Sequence, residues 1–280
     1  MNHDEQEGKK YLGLTPTQLN GSFVAVVLAV ALAAFVYFGG PGAVEEFVSD
    51  KEQPTNSGTV DTDTASTMTP EEVARSAVLT LDDLPPGWTV ELPDEDEGDD
   101  EFDYEFSPQC ALFAMDDHPD ELASADSDEF TGPDGQELSS DASVFASGDV
   151  ADGALQEYIS ATELCLDELV SAFHMAFAEG IQESGGDIES VEIAMSFEEI
   201  PFPELGQSSV AYRLVGEGAT EGVSFQFIID SIIVRSGRMV GGVTYTTFAQ
   251  PDLQEEQFLA EILAGKLEGA DAIVQVRLQE

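Results

Sequence analysis

The chain has 280 residues, 42% hydrophobic and 24% charged, enough to bury a core in one large domain or two small ones. Its 57 acidic residues against 9 basic ones give a net charge of -48. That balance excludes binding driven by nucleic-acid phosphates or by anionic membrane surfaces, both of which need Lys and Arg.

Residues 23–38, FVAVVLAVALAAFVYF, carry no charge and no proline. With their small-residue flanks they predict one transmembrane helix over 23–40, with Tyr37 and Phe38 at an interface. A core helix of a soluble domain shows a polar stripe, and this run shows none. Lys9 and Lys10 precede the run, while Glu45, Glu46 and Asp50 follow it. The positive-inside rule therefore places 1–22 in the cytoplasm as a tail and the rest outside. An A-x-A-like cleavage site in the right place is missing, which favours a retained signal anchor. Residues 41–69 read as a flexible acidic tether, too poor in apolar side chains to offset the entropy of ordering.

A folded unit over 70–280 is expected to open at Thr69-Pro70-Glu71-Glu72, a capping box with proline at the first helical position. The helix should run to about Leu79, and Leu84-Pro85-Pro86-Gly87 should turn the chain into an extended stretch from Trp88 to Leu92. DEDEGDDE at 94–101 reads as a solvated acidic loop. Residues 116–141 read as mostly loop with one or two short strands, and Ala142–Ser147 as a strand. Apolar residues at three- and four-residue intervals, from Leu155 to Phe177, predict a helix over about 149–180, with a break allowed near 164–166. Strand alternation follows around Val191–Ser196, Val210–Leu214 and Val223–Val234. A phase slip at Asp230-Ser231 suggests a bulge. Arg235-Ser236-Gly237-Arg238 reads as a hairpin turn into Met239–Phe248. A helix over Asp252–Glu268 closes the unit, and 271–280 reads equally as helix or strand. Strands without intervening helices make an antiparallel sheet that helices must cover, an α+β fold.

Cys110 and Cys165 are the only cysteines. In an oxidising compartment an even pair bridges, so a structural disulfide is expected between them. The acid clusters miss calcium-loop spacing, since Gly98 falls one position early and no twelfth-place carboxylate follows. No zinc motif, nucleophile elbow or phosphate loop appears, and His174 in the long helix is an ordinary packed or surface histidine before it is a base. No metal, cofactor or catalytic residue is expected. From residue 71 onward six Lys plus Arg stand among 48 acids, and Arg213, Arg235 and Arg238 fall on neighbouring strands. Their plainer role is to neutralise nearby carboxylates; their functional one is to receive an anionic ligand group. Apolar residues on both sides of the strand near 225–234 mean either helices on both faces or an open groove. That groove would be lined by Tyr212, Phe225, Phe227 and Tyr245, with an arginine at its rim.

Leu81-Asp82-Asp83-Leu84-Pro85-Pro86-Gly87-Trp88, Cys110, VFASGDVADGALQEY leading to Cys165, LGQSSVAYRL at 205–214 and the hairpin IIVRSGRMVGGVTY occur in this order. The series resembles the extracytoplasmic sensor-like domain of actinobacterial Ser/Thr protein kinases and the related small envelope lipoproteins, over about 200 residues. The resemblance implies an α/β/α sandwich around an antiparallel sheet, a cysteine bridge and a cleft for a small ligand. Two departures stand out: about 22 residues before the apolar run cannot hold a kinase, and no lipid-attachment cysteine follows it. The expectation is a single-pass protein of the cytoplasmic membrane presenting a non-catalytic ligand-binding or interaction domain outside. Its partners would be the membrane, through one helix, and an unknown small ligand or envelope protein, with no nucleic acid. An envelope-acting hydrolase and a scaffold subunit of an envelope complex are the rival classes.

Overall fold

In a computed structural model the chain is described at residues 68–90, 104–114, 118–183, 191–220 and 223–277. The expected tail, transmembrane helix and tether up to residue 67, and the loop at 94–101, lie outside these residues. No helix among the described residues is long and apolar enough to cross a membrane.

Helix α1 (Pro70–Ala77) starts where the capping box places it. The Thr69 backbone N–H donates to Glu72 at 2.6 Å, and the Glu72 N–H donates to the Thr69 hydroxyl at 3.2 Å. Strands β1 (Thr89–Val90), β2 (Glu121–Asp126), β3 (Phe130–Thr131) and β4 (Glu137–Phe145) follow. Helices α2 (Gly148–Leu164) and α3 (Leu166–Glu183) take up the long periodic stretch, which does break, with Cys165 at the joint. Strands β5 (Val191–Glu199), β6 (Ser208–Thr220), β7 (Val223–Ser236) and β8 (Met239–Thr247) form an antiparallel meander. Helix α4 (Leu253–Arg277) comes last among the described elements and takes in residues 271–277 of the segment that read equally as strand.

The eight strands make one sheet in the order β1-β3-β4-β8-β7-β6-β5, and β2 shares the outer edge of β4 with β3. Helices cover both faces. Along β6 and β7, Tyr212, Leu214, Phe227, Ile229 and Ile233 pack with Leu155, Tyr158, Leu169, Phe173 and Phe177 of α2 and α3. The intervening residues Ala211, Ile232 and Val234, with Met239, Val243 and Tyr245, pack with Val73 and Ala77 of α1 and Leu259, Leu263 and Leu267 of α4. The period of two sends alternate side chains into two separate cores. The fold is α+β, an antiparallel sheet between helical layers.

The expected bulge at Asp230-Ser231 is absent. The β6–β7 register runs without a shift from Ser208↔Arg235 to Thr220↔Val223, and β7–β8 from Ile228↔Thr247 to Ser236↔Met239. The apparent phase slip arises because both faces are buried there, so apolar residues occupy odd and even positions together. The segment expected to be mostly loop with one or two short strands contains β2, β3 and the start of β4. Its acids sit on partly exposed strand positions, which hid the strand pattern.

The disulfide joins Cys110 to Cys165, with Cα atoms 5.8 Å apart. It ties the 3-10 turn at Ala111–Ala114 to the α2–α3 joint, where Phe113 packs edge-on against Tyr158.

Candidate functional site

The seven residues expected to line one cleft divide between the two faces of the sheet. Tyr212, Phe225 and Phe227 face α2 and α3, whereas Tyr245 faces α1 and α4. Arg213 pairs across strands with Asp230, and Asp230 with Tyr245, so Arg213 lies on the α4 side.

On the α3 side the strands leave a furrow. Gly216 and Gly218 of β6 lie between Met195 and Ile193 of β5 and Phe227 and Phe225 of β7. The two phenylalanine rings fold over the glycines, so a Cβ at either position would run into a ring. Phe177 stacks on both, with centroids 5.7 Å from Phe225 and 5.2 Å from Phe227. A second stack runs from Phe173 through Phe197 to Tyr212, at 6.5 and 5.3 Å. The furrow is thus filled by an aromatic layer whose inner members are buried. Its rim of Ile193, Met195, Phe197 and Phe225 keeps partial exposure. Apolar contact is the chemistry this rim offers. Burial raises the Tyr212 hydroxyl to about 12 and raises Tyr158 as well, so both stay neutral.

Gly216→Ala is expected to cost about 1–3 kcal/mol, because the ring it displaces is pinned by Phe177. Gly265→Ala, in open space on α4, should instead be neutral or stabilising by up to about 1 kcal/mol. Urea denaturation of the two variants checks this; equal effects would remove the packing argument.

The three arginines all have carboxylate partners. Arg213 grips Asp230 with two nitrogens, Nε to Oδ1 at 2.7 Å and Nη2 to Oδ2. Arg235 lies 3.1 Å from Asp152 and donates to the Gln207 side chain and the Ser208 hydroxyl. Arg238, at the turn, lies 3.7 Å from Asp271, which also accepts from the Arg238 backbone N–H. Gly237 beside it takes φ +62°, and the Asp271 carboxylate fills the place of its missing Cβ. Neutralisation of carboxylates accounts for all three placements. Arg213, Arg235 and Phe225 are half-buried, whereas Tyr212, Phe227, Arg238 and Tyr245 are buried.

The carboxylates on the α4 side are not among the residues expected from the sequence. Glu255 receives the Trp88 indole N–H at 3.2 Å and the Tyr245 hydroxyl at 3.1 Å. Glu256, the next residue, is fully buried against Asp230 and Arg213. Both had a signal. Asp230 interrupts the apolar run FQFIIDSIIV, and Glu256 falls in phase with Leu259, Leu263 and Leu267 on the buried stripe of α4.

His174 is exposed on α3, and His118 is buried with its ring edge-on to Phe145. No group of three or more His, Cys, Asp or Glu among the described residues is arranged to hold a metal ion.

No protein-family profile matches this chain, and no curated protein does. Among solved structures it is similar to the extracellular domain of PknH from Mycobacterium tuberculosis, at 11% identity and a TM-score of 0.29. That match covers 49% of this chain and 61% of the other. The fold assignment accordingly rests on the sheet, the layers and the registers described above.

Proposed function

We propose that the chain is a membrane-anchored, extracytoplasmic binding domain with no catalysis of its own. Residues 23–40 anchor it in the cytoplasmic membrane, and the folded unit meets a small ligand or an envelope protein outside. The observation that carries this reading is the Cys110–Cys165 bridge, which joins the only two cysteines and is at home in an oxidising compartment. The lysines before the apolar run and the acids after it support the same orientation. The half-buried aromatic rim around Phe225 is the contact surface this reading assigns to an apolar ligand, with Arg235, paired to Asp152 of α2, as the cation of the expected set on the same side of the sheet.

Reporter fusions after Glu280 test the placement. An enzyme active only outside the cytoplasm should be active there, and one active only inside should be silent. Cys110 and Cys165 should resist alkylation in denatured extracts until reductant is added. A reporter active only inside the cell would remove the anchor, the compartment and the proposed role together.

A further inference from the structure

The α4 side of the sheet holds an ionic cluster that the binding role does not use. One row of cross-strand neighbours runs Glu198–Arg213–Asp230–Tyr245 across β5, β6, β7 and β8. Asp230 is fully buried and engaged by Arg213 with both carboxylate oxygens. Glu256 descends onto this pair from the first turn of α4 and is also fully buried. Neither Glu256 oxygen has a donor as an ionised group, yet Asp230 lies within hydrogen-bonding reach of it.

The groups that face the cluster fix its charge. From the sheet come Arg213, Asp230, the exposed Glu198 and the neutral Tyr245; from α4 come Asp252, Glu255 and Glu256. The Asp252 side chain caps the helix by accepting from the Gln254 and Glu255 N–H groups, and Glu255 is occupied by Trp88 and Tyr245. The inward faces of α1 are Val73, Ala74 and Ala77, which bring no charge. One guanidinium therefore serves two buried carboxyl groups. A second buried carboxylate with no donor is costly, whereas a proton between the two removes the surplus charge and creates a hydrogen bond.

We propose that Asp230 and Glu256 form a one-proton site beside Arg213, and that losing this proton releases the first turns of α4 from the sheet. Occupied, the site is neutral in sum and α4 seals its core. Emptied, it carries a net negative charge beneath a helix start that already holds Asp252, Glu255 and Glu256. Burial, and then the Asp230 charge, raise Glu256 to about 8 from an ordinary 4.5, in keeping with a proton retained at neutral pH. The closed form binds the proton and the opened form releases it, so opening becomes easier as pH rises from about 4.5 to about 8 and levels off above. A pH-dependent exposure of the α4 core face would make the domain responsive to the acidity outside the cell.

Hydrogen–deuterium exchange of the full chain in detergent micelles, corrected for intrinsic rates, reads this out. Protection of amides 252–263 should fall by up to about tenfold per pH unit across that window, while α2 stays level. In Glu256→Gln, which keeps the shape and a donor without a titrating proton, protection of α4 should not change with pH. Wild-type protection that is flat, or a variant that follows the wild-type slope, overturns the proposal. Infrared spectroscopy of the unaltered chain covers the case in which the variant does not fold. A protonated-carboxyl band at neutral pH that fades in mild alkali and persists in Asp141→Asn is expected, and its absence at neutral pH also overturns the proposal. If exchanging potassium for choline moves the transition, a metal cation rather than a proton occupies the site, and the one-proton assignment fails.

Discussion

Asp230→Ala is expected to destabilise the folded domain by about 3–5 kcal/mol, among the largest single-residue effects in the protein. The cost does not measure the worth of the Arg213–Asp230 pair. It arises because Arg213, with a side chain only 19% exposed, loses both acceptors while remaining cationic. The loss also removes the group with which Glu256 shares its proton. A double variant, Arg213→Met with Asp230→Ala, should recover part of the loss, since no unmatched guanidinium then remains. Urea denaturation of the three proteins near pH 6 decides the matter. A single-variant loss below about 1 kcal/mol would mean that water, or an ionised Glu256, meets Arg213 in place of Asp230.

Cys110→Ser comes second, and its effect depends on redox state. The bridge closes a loop with a sequence separation of 55 residues, for which chain entropy gives roughly 4 kcal/mol. The oxidised wild-type chain should melt well above both the variant and the reduced wild type, and those two should melt together. Both sulfurs are buried, so reduction under native conditions should be slow and should quicken in denaturant. Wild type and variant melting alike without reductant would show that the bridge does not form in the mature protein, and with it the argument for an oxidising compartment would fall.

How far the fold was legible depended on how each element meets water. Where one face is wet, the period shows. The Thr69 cap, the α2–α3 periodicity and the turn around Gly237 were all readable because polar and apolar residues separate there. Where both faces are buried, the period vanishes. Ile228 to Val234 is apolar on both sides because α3 and α4 each cover one, and the sequence then mimics a register slip. Strand β2 and the first half of β4 were harder to read for a different reason. Glu121, Asp126 and Glu137 occupy partly exposed strand positions, and acids in such numbers read as loop. Burial, together with the Asp126 and Glu121 charges, pushes the Asp141 carboxyl well above the ordinary range, so this acid is not the solvated one its surroundings in the sequence suggest.

The candidate site obeys the same physics. Aromatic and cationic residue types were visible, but which face each one takes is fixed by strand register, and a pattern without a wet face does not report register. Tyr212 and Arg213 are adjacent in sequence and therefore lie on opposite sides of the sheet. The buried acids were overlooked because 57 acidic residues made any single one look ordinary. Only position on an apolar stripe distinguishes Asp230 and Glu256 from the rest.

The strand order fixes a sequence of events during synthesis. Strand β4 finds its central neighbour only in β8, about a hundred residues later, and the α1 face of the sheet is closed by α4, the last described helix. The β5–β8 meander can assemble from near neighbours, but the earlier strands and α1 must wait for it. Until α4 emerges, Ile232, Val234, Met239 and Val243 remain uncovered. A ribosome-stalled or C-terminally truncated chain ending before Leu253 would present that apolar strip to chaperones and proteases.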